Sequence, residues 1–330
     1  MAGFQVVVLL GDGFGPRLME QAVRVAAEVC AIEGVALDCS YENIGYAAYE
    51  SEGTPFSGST AQKCRAASAI LLGPVGDKRA DGLAPHVQPS AGVRALRAKL
   101  GLFTELCPVL IPEKAVDLLL VRELCGGIYY GPRGHTKVEE VDAAFDTELY
   151  TEPEVERVAK QAFELARKRR GQVVSVDRAD VLESSRLWRG AVEKTAKGYP
   201  DVSLSHISVN RAAALVLSEP AQFDVLLTSN LFGSILASEA AAHAGESGAL
   251  ARAFLGYSRQ GAFTPACSTD TRSPMAAILA AGMMFHYSFD MPSAAEAVSQ
   301  AVREVNERAQ GLEMEQVTEL VMQRVRRILA

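Results

Sequence analysis

The sequence predicts an α/β fold in which buried parallel strands alternate with amphipathic helices. Residues 6–10 form a continuous apolar run rich in valine, which is typical of a strand buried on both faces of a sheet. The glycine-rich segment 11–15 predicts a tight turn, and Pro16 stands where a first helical residue is favoured. Apolar residues continue at helical spacing to Val29, so the chain opens with a strand–turn–helix unit.

The same pattern recurs along the chain, which supports this fold class. Further strands are predicted at 67–76, 116–124, 172–177 and 223–230. Helices are predicted at 91–102, 152–171, 185–200 and 274–288, with two more within 292–328. A glycine-bounded stretch at 126–134 favours a hairpin. Residues 256–274 are rich in glycine, serine, threonine and proline, and they predict an irregular loop that is either a linker or a functional loop.

Composition limits the possible partners and the location. The 330 residues suit one large domain or two medium ones. A net charge of −7 argues against nucleic acid or an anionic membrane as a partner, since both favour basic surfaces. No apolar run approaches the ~18 residues that span a bilayer, and the first residues lack the regions of a signal peptide. Six scattered cysteines without a C-x-x-C pair indicate reduced thiols, so we expect a cytoplasmic protein.

A group of arginines is the strongest candidate site that the residues alone offer. Arg94, Arg97 and Arg122 occur with Tyr129, and Arg122 stands near the end of a predicted strand, where α/β folds bind ligands. Guanidinium groups suit carboxylates and phosphates, although surface salt bridges are the alternative. The glycine turn lacks the third glycine of a dinucleotide fingerprint, which favours a structural turn over a nucleotide cradle.

Two serines and the spacing of the histidines bear on the chemistry. Ser234 and Ser238 lie four residues apart in "LLTSNLFGSILASEAA" (226–241), so they share one face of a predicted helix. The five histidines show no metal-binding spacing, and the chain has no nucleophile-elbow motif.

Four motifs give the chain a resemblance to a known family. "LLGDGFGP", "RELCGGIYYGPRG", "SVDRADVLESSRLWR" and "FDVLLTSNLFGSIL" resemble the family of isopropylmalate and isocitrate dehydrogenases. The resemblance implies a two-domain α/β fold with a central cleft. One domain, on the cofactor side, would comprise 1–103 and 256–330, and the inserted domain 104–255 would carry a dimer interface and a β-arm. Active members are homodimers that use NAD(P) and Mg²⁺ or Mn²⁺ to oxidise a 2-hydroxy acid, which then loses a carboxylate.

The resemblance also assigns roles to individual positions, several of which differ from the family pattern. Arg97 and Arg122 match two of three substrate-binding arginines, Tyr129 matches the family's acid-base tyrosine, and Cys107 stands in place of the third arginine. Arg178 occupies the position of a proton-transferring lysine contributed by the partner subunit, but an arginine keeps its proton. The positions of three metal-binding aspartates hold Asn210, Ser234 and Ser238.

The remaining departures concern metal and cofactor. Glu239 is the nearest acid, and its helical position predicts a direction roughly 100° away from Ser238. The segment 257–274 lacks the histidine and the A-P-D of the family's adenosine loop, and Ser273 stands where the family has asparagine. The sequence therefore predicts that the metal site is lost, and it leaves the cofactor-binding residues unassigned.

Three functions remain open. The first is a regulatory or non-catalytic homologue that binds a small carboxylate or phosphate without metal through Arg97, Arg122 and Arg178, as a homodimer or with an active homologue. The second is a metal-independent enzyme on a related acid in specialised biosynthesis, with Tyr129 as its acid-base group and Cys107 and Cys125 as further candidates. The third is an NAD-dependent, Mg²⁺-requiring β-decarboxylating dehydrogenase of the 3-isopropylmalate type.

Overall fold

The structure, a computed structural model, describes residues 3–244, 250–306 and 308–330. It divides into two compact units, Met1–Leu102 with Ala249–Ala330, and Phe103–Gly248. The α/β class predicted from the sequence is confirmed, since strands and helices alternate in both units. In the described ranges, no helix is both long and apolar enough to cross a bilayer.

The elements follow one another in three segments of the chain. The first segment contains β1 (Gly3–Leu9), α1 (Gly15–Ile32), β2 (Ala36–Glu42), α2 (Tyr46–Glu52), α3 (Gly58–Ala66), β3 (Ala69–Leu72) and α4 (Pro89–Leu100). The second contains β4 (Thr104–Ile111), β5 (Val116–Glu123), β6 (Arg133–Val138), β7 (Val141–Asp146), α5 (Glu152–Arg167), β8 (Gln172–Asp177), α6 (Glu183–Ala196), β9 (Ser203–Ser208), α7 (Val209–Ser218), β10 (Val225–Thr228) and α8 (Asn230–Ala244). The third contains β11 (Ala251–Leu255), β12 (Gly261–Pro265), α9 (Met275–Tyr287), α10 (Pro292–Asn306) and α11 (Met314–Leu329).

The first unit is built on five strands in the order β2-β1-β3-β12-β11. All neighbours are parallel except β11 and β12, which run antiparallel. The valine-rich strand β1 is buried from Val6 onward, as expected for a strand covered on both faces. Leu18 and Met19 of α1 and Phe285 of α9 are fully buried in the core of this unit.

The second unit is built on five strands in the order β4-β5-β10-β8-β9. Strands β4 and β5 are antiparallel, whereas β5, β10, β8 and β9 are parallel neighbours. Parallel strands place their carboxyl ends at one edge of the sheet, where Arg122 and the start of α8 are found. Strands β6 and β7 form a separate antiparallel hairpin.

Two local predictions were wrong. The hairpin spans Arg133–Asp146, whereas residues 127–129 of the predicted hairpin form a single turn of 3₁₀ helix. The predicted irregular loop 256–274 contains strand β12, in which Gly261–Pro265 are all buried. The glycine, threonine and proline of β12 concealed the strand, because these residues are also typical of turns.

Candidate functional site

Arg122 lies at the carboxyl end of β5, but its guanidinium is already engaged within the chain. Its Nη1 donates to Oε2 of Glu105 at 2.8 Å, and its Nη2 donates to Oδ1 of Asn230 at 2.8 Å. Glu105 is the direct cross-strand partner of Arg122 in the antiparallel β4–β5 pair. Both side chains are buried, so the ion pair is shielded from water.

Asn230, the first residue of α8, forms hydrogen bonds with three other residues of the site. Its side-chain oxygen accepts from Arg122, and its Nδ2 donates to the carbonyl of Gly126 at 3.0 Å. Its backbone N–H donates to the Tyr150 hydroxyl at 2.8 Å, and Tyr150 packs edge-on against Trp188. Burial raises the pKa of Tyr150, so its hydroxyl stays protonated at physiological pH.

Glu123 fixes the turn that carries Tyr129 from the opposite face of the sheet. Its carboxylate accepts the backbone N–H groups of Cys125 at 2.8 Å and Gly126 at 2.7 Å, and Arg157 of α5 donates to it at 3.2 Å. Burial raises the pKa of this carboxyl, although the three donors oppose the change. The turn is therefore held by hydrogen bonds from one side and by Asn230 from the other.

Tyr129 opens onto a surface cavity of about 450 Å³ in the second unit. The residues that line it are Tyr129, Leu231, Ser234, Ile235, Ser238, Glu239 and Ala242. Tyr129 is 41% exposed, which leaves its ring accessible to a ligand. The two serines share this cavity, as their spacing predicts, and the Ser238 hydroxyl donates to the Ser234 carbonyl at 3.0 Å.

Glu239 lines the same cavity as Ser238. Its Oε2 atom is buried and has no hydrogen-bond partner in the described part of the chain. The cavity is wide enough to include adjacent positions of α8, and a long glutamate side chain reaches further around the helix than a serine does.

Arg178 and Asn210 form a second polar group in this unit. Arg178 Nη1 donates to Oδ1 of Asn210, and its Nε lies 3.3 Å from Oδ1 of Asp180. The backbone N–H of Arg178 donates to the Ser185 hydroxyl at 3.0 Å. The structure thus brings Arg178 and Asn210 together. Within the described residues, no hydrogen bond links this pair to Ser234.

The other predicted arginines belong to the first unit. The Arg97 guanidinium on α4 stacks 4.0 Å from the ring centre of Phe254, and Arg94 donates to the Ser90 hydroxyl at 3.1 Å. Cys107, by contrast, is fully buried in β4 of the second unit, which argues against direct ligand contact by its thiol. Cys30, Cys39, Cys64 and Cys267 are free thiols.

Close backbone contacts explain why the turn after β1 is rich in glycine. Gly13 adopts a φ of +58°, and a Cβ there would lie 2.5 Å from the carbonyl oxygen of Thr269. The neighbouring Phe14 N–H donates to that same carbonyl at 2.8 Å. Asp12 accepts three backbone N–H groups, from Tyr46, Ala47 and Gly76. These contacts hold the turn against its neighbouring loops within the first unit.

The oxygen donors of the second unit do not suit a hard divalent cation. Asn210, Ser234 and Ser238 offer neutral oxygens, and Glu239 is the only carboxylate in the cavity lining. Across residues 3–244, 250–306 and 308–330, no three His, Cys, Asp or Glu side chains converge as a metal site would require. Mg²⁺ is usually bound through carboxylates. These residues do not fit the metal that the resemblance implies, and we assign it no reaction step.

Sequence reasoning missed Glu105, Asn230 and Tyr150, which organise the site. Asn230 belongs to the Asn-Leu-Phe-Gly stretch and begins a helix directly after a buried strand, a pattern that favours a polar cap. Glu105 carries a weaker signal, a charge within an otherwise apolar strand. Tyr150 gives no signal that distinguishes it from an ordinary core residue.

Comparisons with known proteins agree with the fold and with the order of the motifs. Residues 5–318 match the isocitrate/isopropylmalate dehydrogenase family. A 3-isopropylmalate dehydrogenase from Xanthomonas euvesicatoria pv. vesicatoria is 40% identical over 323 residues, covering 91% of this chain and 90% of that protein. Another, from Oleidesulfovibrio alaskensis, is 43% identical over 324 residues with the same 91% and 90% coverage.

A solved structure extends the agreement to three dimensions. The crystal structure of isocitrate dehydrogenase from Methylococcus capsulatus matches with a TM-score of 0.86 at 29% identity, covering 98% of this chain and 99% of that one. Sequence and structure therefore agree over nearly the whole length, and the chain belongs to the isocitrate/isopropylmalate dehydrogenase family.

Proposed function

We propose that this chain binds a small hydroxy acid at the Tyr129 cavity of its second unit. The observation that supports this most directly is the placement of Tyr129. Its ring is exposed at the cavity, while the turn that carries it is fixed by Glu123 and Asn230. A rigidly held, accessible phenol can orient a ligand hydroxyl or exchange a proton with it.

The comparisons favour an NAD-dependent β-decarboxylating dehydrogenase over the non-catalytic homologue. The relatives that are 40–43% identical are named 3-isopropylmalate dehydrogenase, and they align over about nine-tenths of their length. In such an enzyme NAD would accept a hydride from the hydroxy acid. Tyr129 would act as the acid-base group.

The residues at the metal positions favour the alternative, a member that works without metal. Asn210, Ser234 and Ser238 are poor at displacing water from Mg²⁺, because none of them carries a charge. Arg178 holds its proton at ordinary pH, so it cannot serve as the family's lysine does. This alternative includes both a regulatory homologue and a metal-independent enzyme that uses Tyr129.

One experiment separates these candidates. Reduction of NAD is followed spectroscopically with 3-isopropylmalate as the substrate, with Mg²⁺ or Mn²⁺ and then with EDTA. Metal-dependent turnover would support the dehydrogenase, and turnover that persists in EDTA would support a metal-independent enzyme. The absence of turnover, together with a raised melting temperature in the presence of the acid, would support a binding protein. A ligand at 100 times its Kd should stabilise the protein by about 2.7 kcal/mol.

Two tyrosine variants test the site itself. Tyr129→Phe should abolish any turnover or weaken acid binding, because it removes the hydroxyl from the cavity. Tyr41→Phe is the matched control, since Tyr41 is an exposed tyrosine of the first unit. Equal effects of the two substitutions would contradict the proposed site.

We propose that the chain forms a homodimer, or a hetero-oligomer with an active homologue, in the cytoplasm. Leu217 on α7 and Ile235 on α8 are each 47% exposed, and apolar side chains of this kind favour a protein interface. The resemblance implies that Arg178 of one subunit contributes to the site of its partner. Light scattering of the purified chain, alone and mixed with a complete homologue, tests both assemblies. A monomer under both conditions would contradict them.

A further inference from the structure

A second cavity of the second unit lies between α7 and the edge of the sheet at β9. Its volume is about 270 Å³, and among the described residues it shares no lining residue with the Tyr129 cavity. Ser203 and Ser205 of β9 are two residues apart, so they project toward it from one face of the sheet. Arg211 and Leu215 are four residues apart on α7, so they face it from the helix. Regular elements therefore hold the walls of this cavity in place.

Three polar side chains of this cavity are available to a ligand. The Ser205 hydroxyl, the Gln172 amide and the Arg211 guanidinium belong to exposed residues of its lining. None of these three groups forms a hydrogen bond or an ion pair within residues 3–244, 250–306 and 308–330. The strand pairing aligns Gln172 of β8 with Ser203, so the amide and the serines lie side by side. A ligand with hydrogen-bonding groups would replace the water that solvates them.

Positive charge predominates around this cavity. Arg211 is the only charged residue of the described lining. The Arg170 guanidinium donates to two backbone carbonyl oxygens, one of them that of Phe223, which also lines the cavity. The nearest carboxylate in the chain sequence, Asp224, is fully buried and pairs with Arg169. Since the acceptors of Arg170 are neutral, its charge adds to that of Arg211, and the cavity favours an anion.

The size and the remaining lining limit the ligand further. A volume of about 270 Å³ lies just below the range of about 300–1,000 Å³ that is typical of drug-sized ligands, so a smaller molecule fits. Val173 and Phe223 are buried and contribute apolar surface for a short carbon chain. The hydroxyl and amide groups of the lining can both donate to and accept from the hydroxyls of such a ligand.

We infer that this cavity is a second ligand site, which binds the phosphate ester of a small polyol. Arg211 binds the phosphate, and Ser205 and Gln172 bind the hydroxyls. A phosphate ester carries a charge of about −1.5 to −2 at neutral pH, which suits two neighbouring guanidinium groups better than a single carboxylate does. The site does not depend on hydroxy-acid binding at the Tyr129 cavity.

Glycerol 3-phosphate is the probe, and calorimetric titration of the full chain measures its binding. Inorganic phosphate lacks the hydroxyls and should bind about fivefold more weakly, as expected for the loss of one or two hydrogen bonds. Glycerol lacks the charge and should show no measurable binding at the same concentration. Glycerate replaces the phosphate by a carboxylate and should bind to this cavity more weakly than glycerol 3-phosphate does.

Two variants of the cavity and two controls locate the bound probe. Arg211→Gln should weaken the binding of glycerol 3-phosphate at least about tenfold, because it removes a charge-assisted hydrogen bond. Ser205→Ala should weaken it about fivefold and leave the binding of inorganic phosphate unchanged. Arg186→Gln is the matched control, since it removes an exposed arginine of α6 that pairs with Glu183 outside the cavity. Arg186→Gln and Tyr129→Phe should both leave the affinity unchanged.

The outcomes separate this inference from the proposed function. Weaker binding in Arg211→Gln but not in the two controls would support the second site, whether or not the chain binds a hydroxy acid. The inference would be overturned if glycerol 3-phosphate did not bind, or if Arg211→Gln and Arg186→Gln lost affinity equally. A loss confined to Tyr129→Phe would place the probe in the Tyr129 cavity and would overturn it too. Tighter binding of glycerate than of glycerol 3-phosphate, sensitive to Arg211→Gln, would overturn the assignment of a phosphate ester.

Discussion

Asp177, the last residue of β8, should make the stability of the second unit depend on acid pH. Its carboxylate accepts two hydrogen bonds of 2.8 Å from Arg189 of α6 and one of 3.1 Å from the N–H of Ala179. His206 lies 3.6 Å away, beyond normal hydrogen-bond length. Burial raises the pKa of Asp177, but His206, Arg189 and Ala179 together lower it from 3.8 to about 2.

The lowered pKa fixes both the sign and the size of the effect. Since the folded pKa lies below the unfolded one, the stabilisation is complete above about pH 5 and is lost as the pH falls through the range from about 4 to 2. One pKa unit corresponds to about 1.4 kcal/mol, so the carboxylate contributes about 2 kcal/mol at neutral pH and about 1 kcal/mol at pH 3. Asp177→Asn should remove this contribution.

The single tryptophan provides the assay. Trp188 is buried on α6, one residue before Arg189, so its fluorescence reports the unfolding of this region. Urea titrations of the unmodified protein and Asp177→Asn should differ by about 2 kcal/mol at pH 7 and by about half as much at pH 3. Asp201→Asn is the control, because Asp201 also makes a two-bond contact with an arginine but is exposed. A difference that is equal at both pH values would refute the reasoning.

Two further substitutions test the packing of each unit. Asn230→Ala should lower the free energy of unfolding by about 3 kcal/mol, because it leaves a donor of Arg122 and the carbonyl of Gly126 without their hydrogen-bond partner. Urea titration followed by Trp188 fluorescence measures this loss, and a loss below about 1 kcal/mol would contradict the role of Asn230. Gly13→Ala should lower the melting temperature more than Gly34→Ala does. Both glycines have a positive φ, but of the two only Gly13 lacks space for a Cβ. Equal decreases in melting temperature would contradict this explanation.

The sequence was sufficient to predict several buried strands whose central residues are valine, leucine or isoleucine. Segments 172–177 and 223–230 contain the apolar runs 173–174 and 225–227, and the structure places β8 and β10 there. The strands that were missed have mixed composition. β9, at the sheet edge, reads Ser-Leu-Ser-His-Ile-Ser, and β2 is largely polar, so neither shows the signal of a buried strand. These strands form because they pair with neighbouring strands, and the local sequence pattern alone does not reveal that pairing.

The site was predictable in position but not in its electrostatics. Ser234 and Ser238 share one cavity, as residues four apart on one helix face can do. Arg122 lies beside α8, at the end of β5 where ligand sites occur in α/β folds. Each of these inferences needs only the geometry of a single element. The partner of Arg122 depends on the register between β4 and β5, which aligns Glu105 with Arg122 across the pair. A shift of one residue would turn Glu105 to the other face of the sheet and would separate it from Arg122.

The next residue along β5 shows how the strand register determines which charged side chains pair. Arg122 and Glu123 project to opposite faces, where Arg122 meets α8 and Glu123 meets Arg157 of α5. Each buried charge therefore has its own counter-ion, and neither can pair with the other. Neutralising Glu105 removes the carboxylate that pairs with Arg122 on the α8 side, whereas neutralising Glu123 removes the one that pairs with Arg157 on the α5 side. Glu105→Gln and Glu123→Gln would thus remove the same charge from adjacent strands but would alter opposite faces of the sheet.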